Sequence, residues 1–321
     1  MAEKAALERL MGDSPGHQQP ENKDVAADKD VTEEILADHR RYRRMLKEIP
    51  EVEHSLFGKV LAPDDPAHLI TLLGQLAGLQ IGAWRGQASA TWTIDSALAR
   101  RYATERAWLG EQYKLTEANV RAVEKALIER TRSAGLGGDL CELELLARLQ
   151  HHGAATRLLD CTRSAFVALW FACQGHADDD GLLIGFRLAE HARHLDTEKL
   201  RLDIDELLEY GEGRPLWWQP RGLSPRISAQ QAVFVFGPIV DEPWGSIRFG
   251  EGAIDIGDTG NVPGAALILI RSKLKESLNG TWRDLFGFSE ETLFPDFDGF
   301  AQSHAINRTF PLEFPLGAGV Q

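Results

Sequence analysis

Cysteine is scarce in this chain, and long apolar runs are missing from it. The 321 residues include three cysteines, Cys141, Cys161 and Cys173, whose odd number and spacing suit neither a disulfide framework nor a metal site. No run is long enough to cross a bilayer, and residues 1–4 lack the apolar core of a signal peptide. We therefore expect a cytoplasmic protein with reduced thiols, no bound metal and no membrane association.

Basic residues are also in deficit. The chain has 35 Lys and Arg against 48 Asp and Glu, which gives a formal net charge of −13 at pH 7. Such a field repels nucleic acid and anionic membranes, so the charge disfavours nucleic acid as a partner. RNA or DNA binding would have to use local arginines such as Arg157, Arg163, Arg221 and Arg226.

Composition and periodicity divide the chain into four parts. Residues 1–30 carry few large apolar groups and predict a disordered tail. Apolar residues then recur at three- and four-residue spacing, so we expect a helical N-terminal extension over residues 31–63. The main domain is expected over residues 64–310, and residues 311–321 form a C-terminal tail.

Within the main domain, helix-like periodicity comes first and strand-like runs come later. The predicted helices cover residues 67–79, 102–132, 139–153 and 165–173. The predicted strands cover residues 81–85, 181–187, 232–236 and 265–270. This order predicts an α+β fold.

The most polar stretch, residues 149–160, directly precedes an apolar helix-like run. It contains Gln150, His151, His152, Arg157 and Asp160. Such groups concentrate beside a buried element when they pair with each other or with a ligand. Neighbouring helical residues point about 100° apart, which argues against one metal shared by both imidazoles. The imidazoles therefore either cap the helix or take part in substrate contact or proton transfer.

Strand alternation separates the two charged groups that end this stretch. If residues 156–160 are extended, Thr156 and Asp160 share one face and Arg157 points the other way. Arg157 and Asp160 should not pair, so Asp160 needs another donor, and we expect Arg85 or a histidine. Cys161 follows directly, and burial as a small apolar group is favoured over a role as nucleophile.

Several blocks of sequence resemble the FRG-domain family, over roughly residues 65–305. These blocks are Trp84-Arg85-Gly86-Gln87, then residues 150–162, 168–172, 226–234 and 292–299. A more distant likeness connects the same pattern to ADP-ribosyltransferases. That likeness implies a helical N-terminal part packed on a mixed, mainly antiparallel β core.

The likeness also implies NAD or a related nucleotide as the substrate. Arg85 would then hold the phosphates, and Gly86 would let backbone amides approach the dinucleotide; the alternative is a structural pair between Arg85 and a carboxylate such as Asp160. The residues implied in binding are Arg85, Gly86, Gln87, Thr156, Thr162 and Ser164. Those implied in catalysis are His151, His152, Asp160, Gln230 and Gln231.

The chain departs from the transferase pattern at the third motif, where Gln230-Gln231 stands in place of the usual Glu. Strand alternation would turn one of these amides inward. An amide cannot supply the negative charge that steadies an oxocarbenium-like transition state. Either Asp160 or Glu291 takes that task, or catalysis is slow or absent.

The resemblance therefore leaves two functions open. One is a nucleotide-using transferase or glycohydrolase, as a bacterial or phage toxin or defence effector with a protein target. The other is a non-catalytic module that recognises a nucleotide or a protein. Trp217 and Trp218 could stack on a base or pack against the domain.

Overall fold

The computed structural model describes residues 49–77, 81–109, 115–220, 222–247, 264–279 and 281–303. All of them belong to one compact unit. The predicted tails, residues 1–30 and 311–321, and residues 31–48 of the predicted helical extension lie outside the described residues. Within the described part, no helix combines the length and apolarity needed to cross a bilayer.

The main feature of the described residues is one mixed sheet, with strand order β1-β2-β11-β5-β3-β4-β8-β7-β6. The strands are β1 (Glu51–His54), β2 (Gly58–Leu61), β3 (Ala83–Gln87), β4 (Leu159–Thr162), β5 (Gly181–Phe186), β6 (Arg193–His194), β7 (Leu216–Trp218), β8 (Ala232–Phe236) and β11 (Ala265–Ile270). Two further strands, β9 (Ile239–Glu242) and β10 (Gly245–Ile247), pair separately. Pairing is antiparallel except between β2 and β11 and between β6 and β7.

Eight of the helices in the described residues lie between these strands along the chain, and four follow the last strand. They are α1 (Pro66–Ala77), α2 (Ala97–Leu109), α3 (Glu117–Ser133), α4 (Glu142–His151), α5 (Ala165–Cys173), α6 (Leu188–His191), α7 (Ile204–Gly211), α8 (Pro225–Ala229), α9 (Ser272–Asn279), α10 (Trp282–Phe286), α11 (Glu290–Leu293) and α12 (Phe297–Ser303). The predicted α+β class and the mixed, mainly antiparallel core are confirmed.

The predicted helical extension is wrong at its C-terminal end. Residues 51–61 form the hairpin β1–β2, and Leu61 pairs with Ile268 of β11. The hairpin is held by Phe57 and Val60, which are fully buried in the core. The domain therefore starts before residue 64, because its edge strands precede the first helix.

Alternation along the central strands puts apolar side chains into both layers around the sheet. Leu183 packs with α1 and α5 on one face, whereas Leu182 and Ile184 pack on the opposite face. Both β5 and β11 are buried at every position, which explains their continuous apolar sequence. A separate apolar cluster joins α3, α4 and α7 to β7 and β8.

Strand β3 and helix α5 pack very closely at Gly86. A Cβ placed on Gly86 would lie 1.8 Å from the backbone oxygen of Ala168 in α5. Only glycine fits at this point, and the second residue of the Arg85-Gly86 pair therefore serves helix–sheet packing. The first residue, Arg85, lies on the same strand and borders the cleft described next.

Candidate functional site

A cleft of about 280 Å³ lies over β3, β4 and β8. Its aromatic wall is formed by Trp84, Phe171, Phe234 and Phe294. Its polar lining consists of Arg85, Gln150, His151, Asp160, Thr162, Arg226 and Gln230. A concave site with apolar walls and a few convergent polar groups is the usual form of a small-molecule site.

Arg85 lies in this cleft, and among the described residues it has no ion pair with a carboxylate of the kind that a structural pair would require. Its Nη1 donates a hydrogen bond to the backbone oxygen of Asp160 at 2.8 Å. Its Nε is buried and has no hydrogen-bond partner among the described residues. The guanidinium is therefore anchored at one nitrogen and retains donors for an anionic ligand.

The Asp160 side chain is oriented by an amide. Gln150 Nε2 donates to Asp160 Oδ1 at 2.5 Å, and the buried hydroxyl of Thr156 donates to Gln150 Oε1. We expected Arg85 or a histidine as this donor, and that expectation is wrong. The amide of Gln150, at the end of α4, lies next to the carboxylate and donates to it instead. Thr156 supports the site through Gln150.

Asp160 lines the cleft and is exposed to solvent there. Desolvation by the walls of the cleft raises the pKa of Asp160, although Arg85, Gln150 and Arg100 act in the opposite direction. A carboxyl group with a raised pKa inside a cleft is typical of a functional site. Arg100, on α2, carries no signal in the sequence that places it near Asp160.

Arg157 points away from the cleft, as strand alternation predicted. Its Nε donates to both carboxylate oxygens of Glu124, at 3.0 and 2.8 Å, and Nη2 lies 2.8 Å from Glu117 Oε1. Arg157 and Glu124 are completely buried. The predicted separation of Arg157 from Asp160 is confirmed, and Arg157 joins the loop before β4 to α3.

The two histidines have different surroundings. His151 lines the cleft and its Nε2 lies 3.0 Å from Asp296 Oδ2. Arg226 holds the same carboxylate with two hydrogen bonds, at 2.8 and 2.7 Å. His152 is exposed and lies 3.2 Å from Asp298. Only His151 is therefore placed to contact a ligand in the cleft.

The glutamine pair does not begin β8, so the expected alternation of one amide inward and one outward is wrong. Gln230 is the C-terminal cap of α8, and Gln231 has a left-handed φ of 47°. Gln230 lines the cleft and donates to the backbone oxygen of Leu293 at 3.0 Å. Gln231 is exposed and its backbone oxygen accepts from the Arg163 N–H.

The remaining predicted binding residues mainly support the backbone. Gln87 is buried and donates to the carbonyls of Trp92 and Thr93. Thr162 lines the cleft and donates to the Gln230 carbonyl at 2.7 Å. Ser164 caps α5 by accepting from the Val167 N–H. Gly86 borders the cleft but is fixed by its contact with α5.

Three further side chains that the sequence analysis considered are not placed for binding or catalysis in the cleft. Burial raises the pKa of Cys161 to about 12, which suits an inert core thiol rather than a nucleophile. Trp218 is buried in β7 beside Phe234, so it serves packing. Glu291 is exposed on α11 and does not line the cleft.

The residues of the site that were not predicted from the sequence are mainly those of one wall, which Arg226, Asp296 and Phe294 form. Arg226 and Asp296 occur in two blocks of the family resemblance, yet 70 positions separate them, and no local periodicity connects the two. Phe294 stacks over the Arg226 guanidinium at 4.9 Å and completes that wall. Their occurrence in the matching blocks was the one available signal.

Comparison with known proteins identifies part of this site. The family model for the FRG domain matches residues 80–181. No curated protein and no solved structure gives a significant match. The matched residues contribute Arg85, Gln150, His151 and Asp160 to the cleft, whereas Arg226, Phe234 and Phe294 lie beyond them. The chain therefore carries an FRG domain over residues 80–181.

Proposed function

We propose that the cleft binds NAD or a related nucleotide, and that the domain is an ADP-ribosyltransferase-like enzyme. The observation that carries the proposal is that a partly free arginine, Arg85, and a carboxylate, Asp160, both line an aromatic-walled cleft. A toxin or defence effector with a protein target is the biological role that we propose for such an enzyme.

Each part of the cleft suits one part of a nucleotide. The unpaired Nε of Arg85 can donate to a phosphate oxygen, for which the planar guanidinium is well shaped. Trp84 and Phe171 offer apolar surface to a base or nicotinamide ring. A volume of about 280 Å³ is at the lower end for ligand pockets, which favours one nucleotide half inside the cleft.

Asp160 is the residue that we propose in place of the usual glutamate. Breaking the bond between nicotinamide and ribose develops positive charge on the sugar, and a nearby carboxylate stabilises that charge. Gln150 fixes the Asp160 side chain from behind at 2.5 Å, so the carboxylate is oriented before a substrate arrives. Orientation of this kind reduces the reorganisation needed during the reaction.

One observation favours a second function, a non-catalytic nucleotide-binding module. The Gln230 amide is already engaged with the Leu293 carbonyl, and Gln231 is exposed. If neither glutamine contacts the sugar, the third motif of a transferase has no equivalent here. The same cleft would then hold a nucleotide without breaking it.

The test measures binding and turnover separately. Calorimetry with NAD follows binding, and mass spectrometry with and without cell extract follows nicotinamide release and mass addition to proteins. We expect Arg85→Ala to weaken binding and Asp160→Asn to slow release by about 10²–10³-fold with little change in affinity. Arg101→Ala is the matched control, because Arg101 pairs with Glu105 outside the cleft.

Binding without release under any condition would favour the non-catalytic module. Release that persists at the wild-type rate in both cleft variants would place the reaction elsewhere. Absence of binding to NAD and related nucleotides would remove the proposal as a whole.

A further inference from the structure

The imidazole of His151 has one nitrogen in use and one free. Its side chain is only 7% exposed, and Nε2 lies 3.0 Å from Asp296 Oδ2. Nδ1 is buried and has no hydrogen-bond partner among the described residues. A buried polar atom without a partner is costly, so its presence at a cleft calls for a functional explanation.

The Asp296 carboxylate determines which nitrogen carries hydrogen. Burial acts to raise the pKa of Asp296, but the hydrogen bonds from Arg226 and from the Gly299 N–H lower it. An ionised carboxylate only accepts hydrogen bonds, so Nε2 of His151 must donate. Nδ1 therefore has an available lone pair whenever the imidazole is neutral.

The groups around the ring keep it neutral near pH 7. Burial, the positive charge of Arg226 on α8 and the neighbouring His152 lower the pKa of His151. Asp296 and Asp298, at the start of α12, act in the opposite direction but do not reverse the shift. These charged groups face the ring from α4, α8 and α12.

We propose that Nδ1 of His151 is the general base that activates an oxygen acceptor, either water or a hydroxyl group. This role rests on the proposed function and supplies its second substrate. The bond between ribose C1′ and nicotinamide breaks, and its electron pair leaves with nicotinamide. The acceptor oxygen bonds to C1′, and its proton moves to Nδ1. Asp296 stabilises the resulting imidazolium, as in carboxylate–histidine pairs of hydrolytic enzymes.

A structural role for the same contacts predicts different behaviour. The Asp296–His151–Arg226 contacts tie α12 to α4 and α8, so loss of the ring could loosen the wall. His151→Gln separates the two roles, because its amide can still donate to Asp296 but does not titrate. His152→Gln is the matched control, since His152 is the adjacent imidazole and is 54% exposed.

The experiment compares these proteins from about pH 5 to about pH 9, around the ordinary imidazole pKa of about 6.5. The rate of nicotinamide release by the wild type should fall on acidification, as Nδ1 becomes protonated. His151→Gln should lose about 10²–10⁴-fold in rate, keep its affinity for NAD and retain only the acid limb that protonation of Asp160 produces. His152→Gln should follow the wild type.

Each outcome separates this role from the proposed function. Nicotinamide release by His151→Gln at the wild-type rate and with the same acid limb would overturn the role of His151 alone. Failure of the wild type to release nicotinamide would overturn the transferase proposal and this role together. Nitrogen-15 NMR of the histidine rings should show hydrogen on Nε2 and not on Nδ1 at neutral pH; a protonated Nδ1 would overturn the role without any activity measurement. Free ADP-ribose as the product identifies water as the acceptor, and mass addition identifies a hydroxyl group.

Discussion

Two clusters, one around Arg157 and one around Arg85, differ in how completely the charge of the arginine is paired. Arg157 is buried and is engaged by Glu124 and Glu117. Arg85 gives one nitrogen to a backbone oxygen and keeps a buried Nε without a partner among the described residues. Arg157 is ion-paired with two carboxylates, although its Nη1 also has no hydrogen-bond partner among the described residues. Arg85 has no ion pair with a carboxylate among those residues, so its charge remains available to a ligand.

The difference teaches that residue type alone does not separate a structural ion pair from a binding site. Burial raises the pKa of Glu124 despite the nearby charges of Arg157 and Arg121, so this pair is held at an energetic cost. Its geometry fixes α3 against the loop that leads into β4. The Arg85 cluster instead leaves its polar groups at the floor of a cleft, where a ligand can reach them.

Removing Arg157 from its ion pairs should have the largest effect on the free energy of unfolding. Arg157→Met leaves the Glu124 carboxylate buried without its main partner, so we expect a loss of about 3–5 kcal/mol in the free energy of unfolding. Denaturant titration measures this loss. The double variant Arg157→Met with Glu124→Leu should recover much of it, because the buried Glu124 charge is then removed as well and Arg121 keeps Asp205 as its partner. A loss below about 1 kcal/mol in the single variant would mean that the pair does not hold the loop.

Adding one methyl group beside Arg85 should have the next largest effect. Gly86→Ala places a Cβ against the Ala168 carbonyl at 1.8 Å, so β3 and α5 must separate. We expect about 1–3 kcal/mol of destabilisation from this overpacking. The control is Gly74→Ala in α1, where nothing lies within 4 Å of the added Cβ, and the change should be stabilising. Equal behaviour of the two variants would contradict the packing role of Gly86.

Removing the Arg85 guanidinium should change the free energy of unfolding by less than Arg157→Met or Gly86→Ala does. For Arg85→Met we expect a change of about 1 kcal/mol or less in unfolding free energy, because the loss is one hydrogen bond to a carbonyl. Nucleotide affinity should fall by about tenfold or more, as expected for a lost charge-assisted hydrogen bond. Thermal unfolding with and without NAD measures both. A fold that collapses without Arg85 would make this cluster structural, like that of Arg157.

The smallest effect is expected at the exposed histidine. Asp298→Asn removes the partner of His152, and both side chains are 54% exposed. Exposed ion pairs contribute little, so we expect a change of about 0.5 kcal/mol or less. Denaturant titration of the variant and the wild type measures this change. A large loss would show that His152, and not only His151, fixes α12.

The parts of the fold that follow from local patterns were predicted well. The continuous apolar runs of β5 and β11 indicate strands at the centre of a sheet, and both lie there. The apolar run at residues 165–173 indicates a helix, and α5 covers those residues with Ser164 as its N-cap. Alternation also placed Arg157 and Asp160 on opposite sides. Each of these depends on side chains within a few residues of one another.

The errors occurred where a turn or a distant partner decides the structure. Gln231 adopts a left-handed φ of 47°, so α8 runs directly into β8, and the alternation expected for Gln230 and Gln231 does not apply. Residues 51–61 form a hairpin because their apolar side chains pack beside β11, with which β2 pairs. Neither the turn nor the pairing has a clear signature in the local sequence.

The sequence by itself determined that the chain is an α+β protein with a polar stretch before α5 and an Arg-Gly pair on an early strand. Periodicity and capping suffice for this, since they act over one or two turns of backbone. Only the tertiary structure decided that Gln150 orients Asp160, that Asp296 and Arg226 hold His151, and that Arg85 stays partly free. These contacts join residues up to 145 positions apart, and the packing of whole elements selects them.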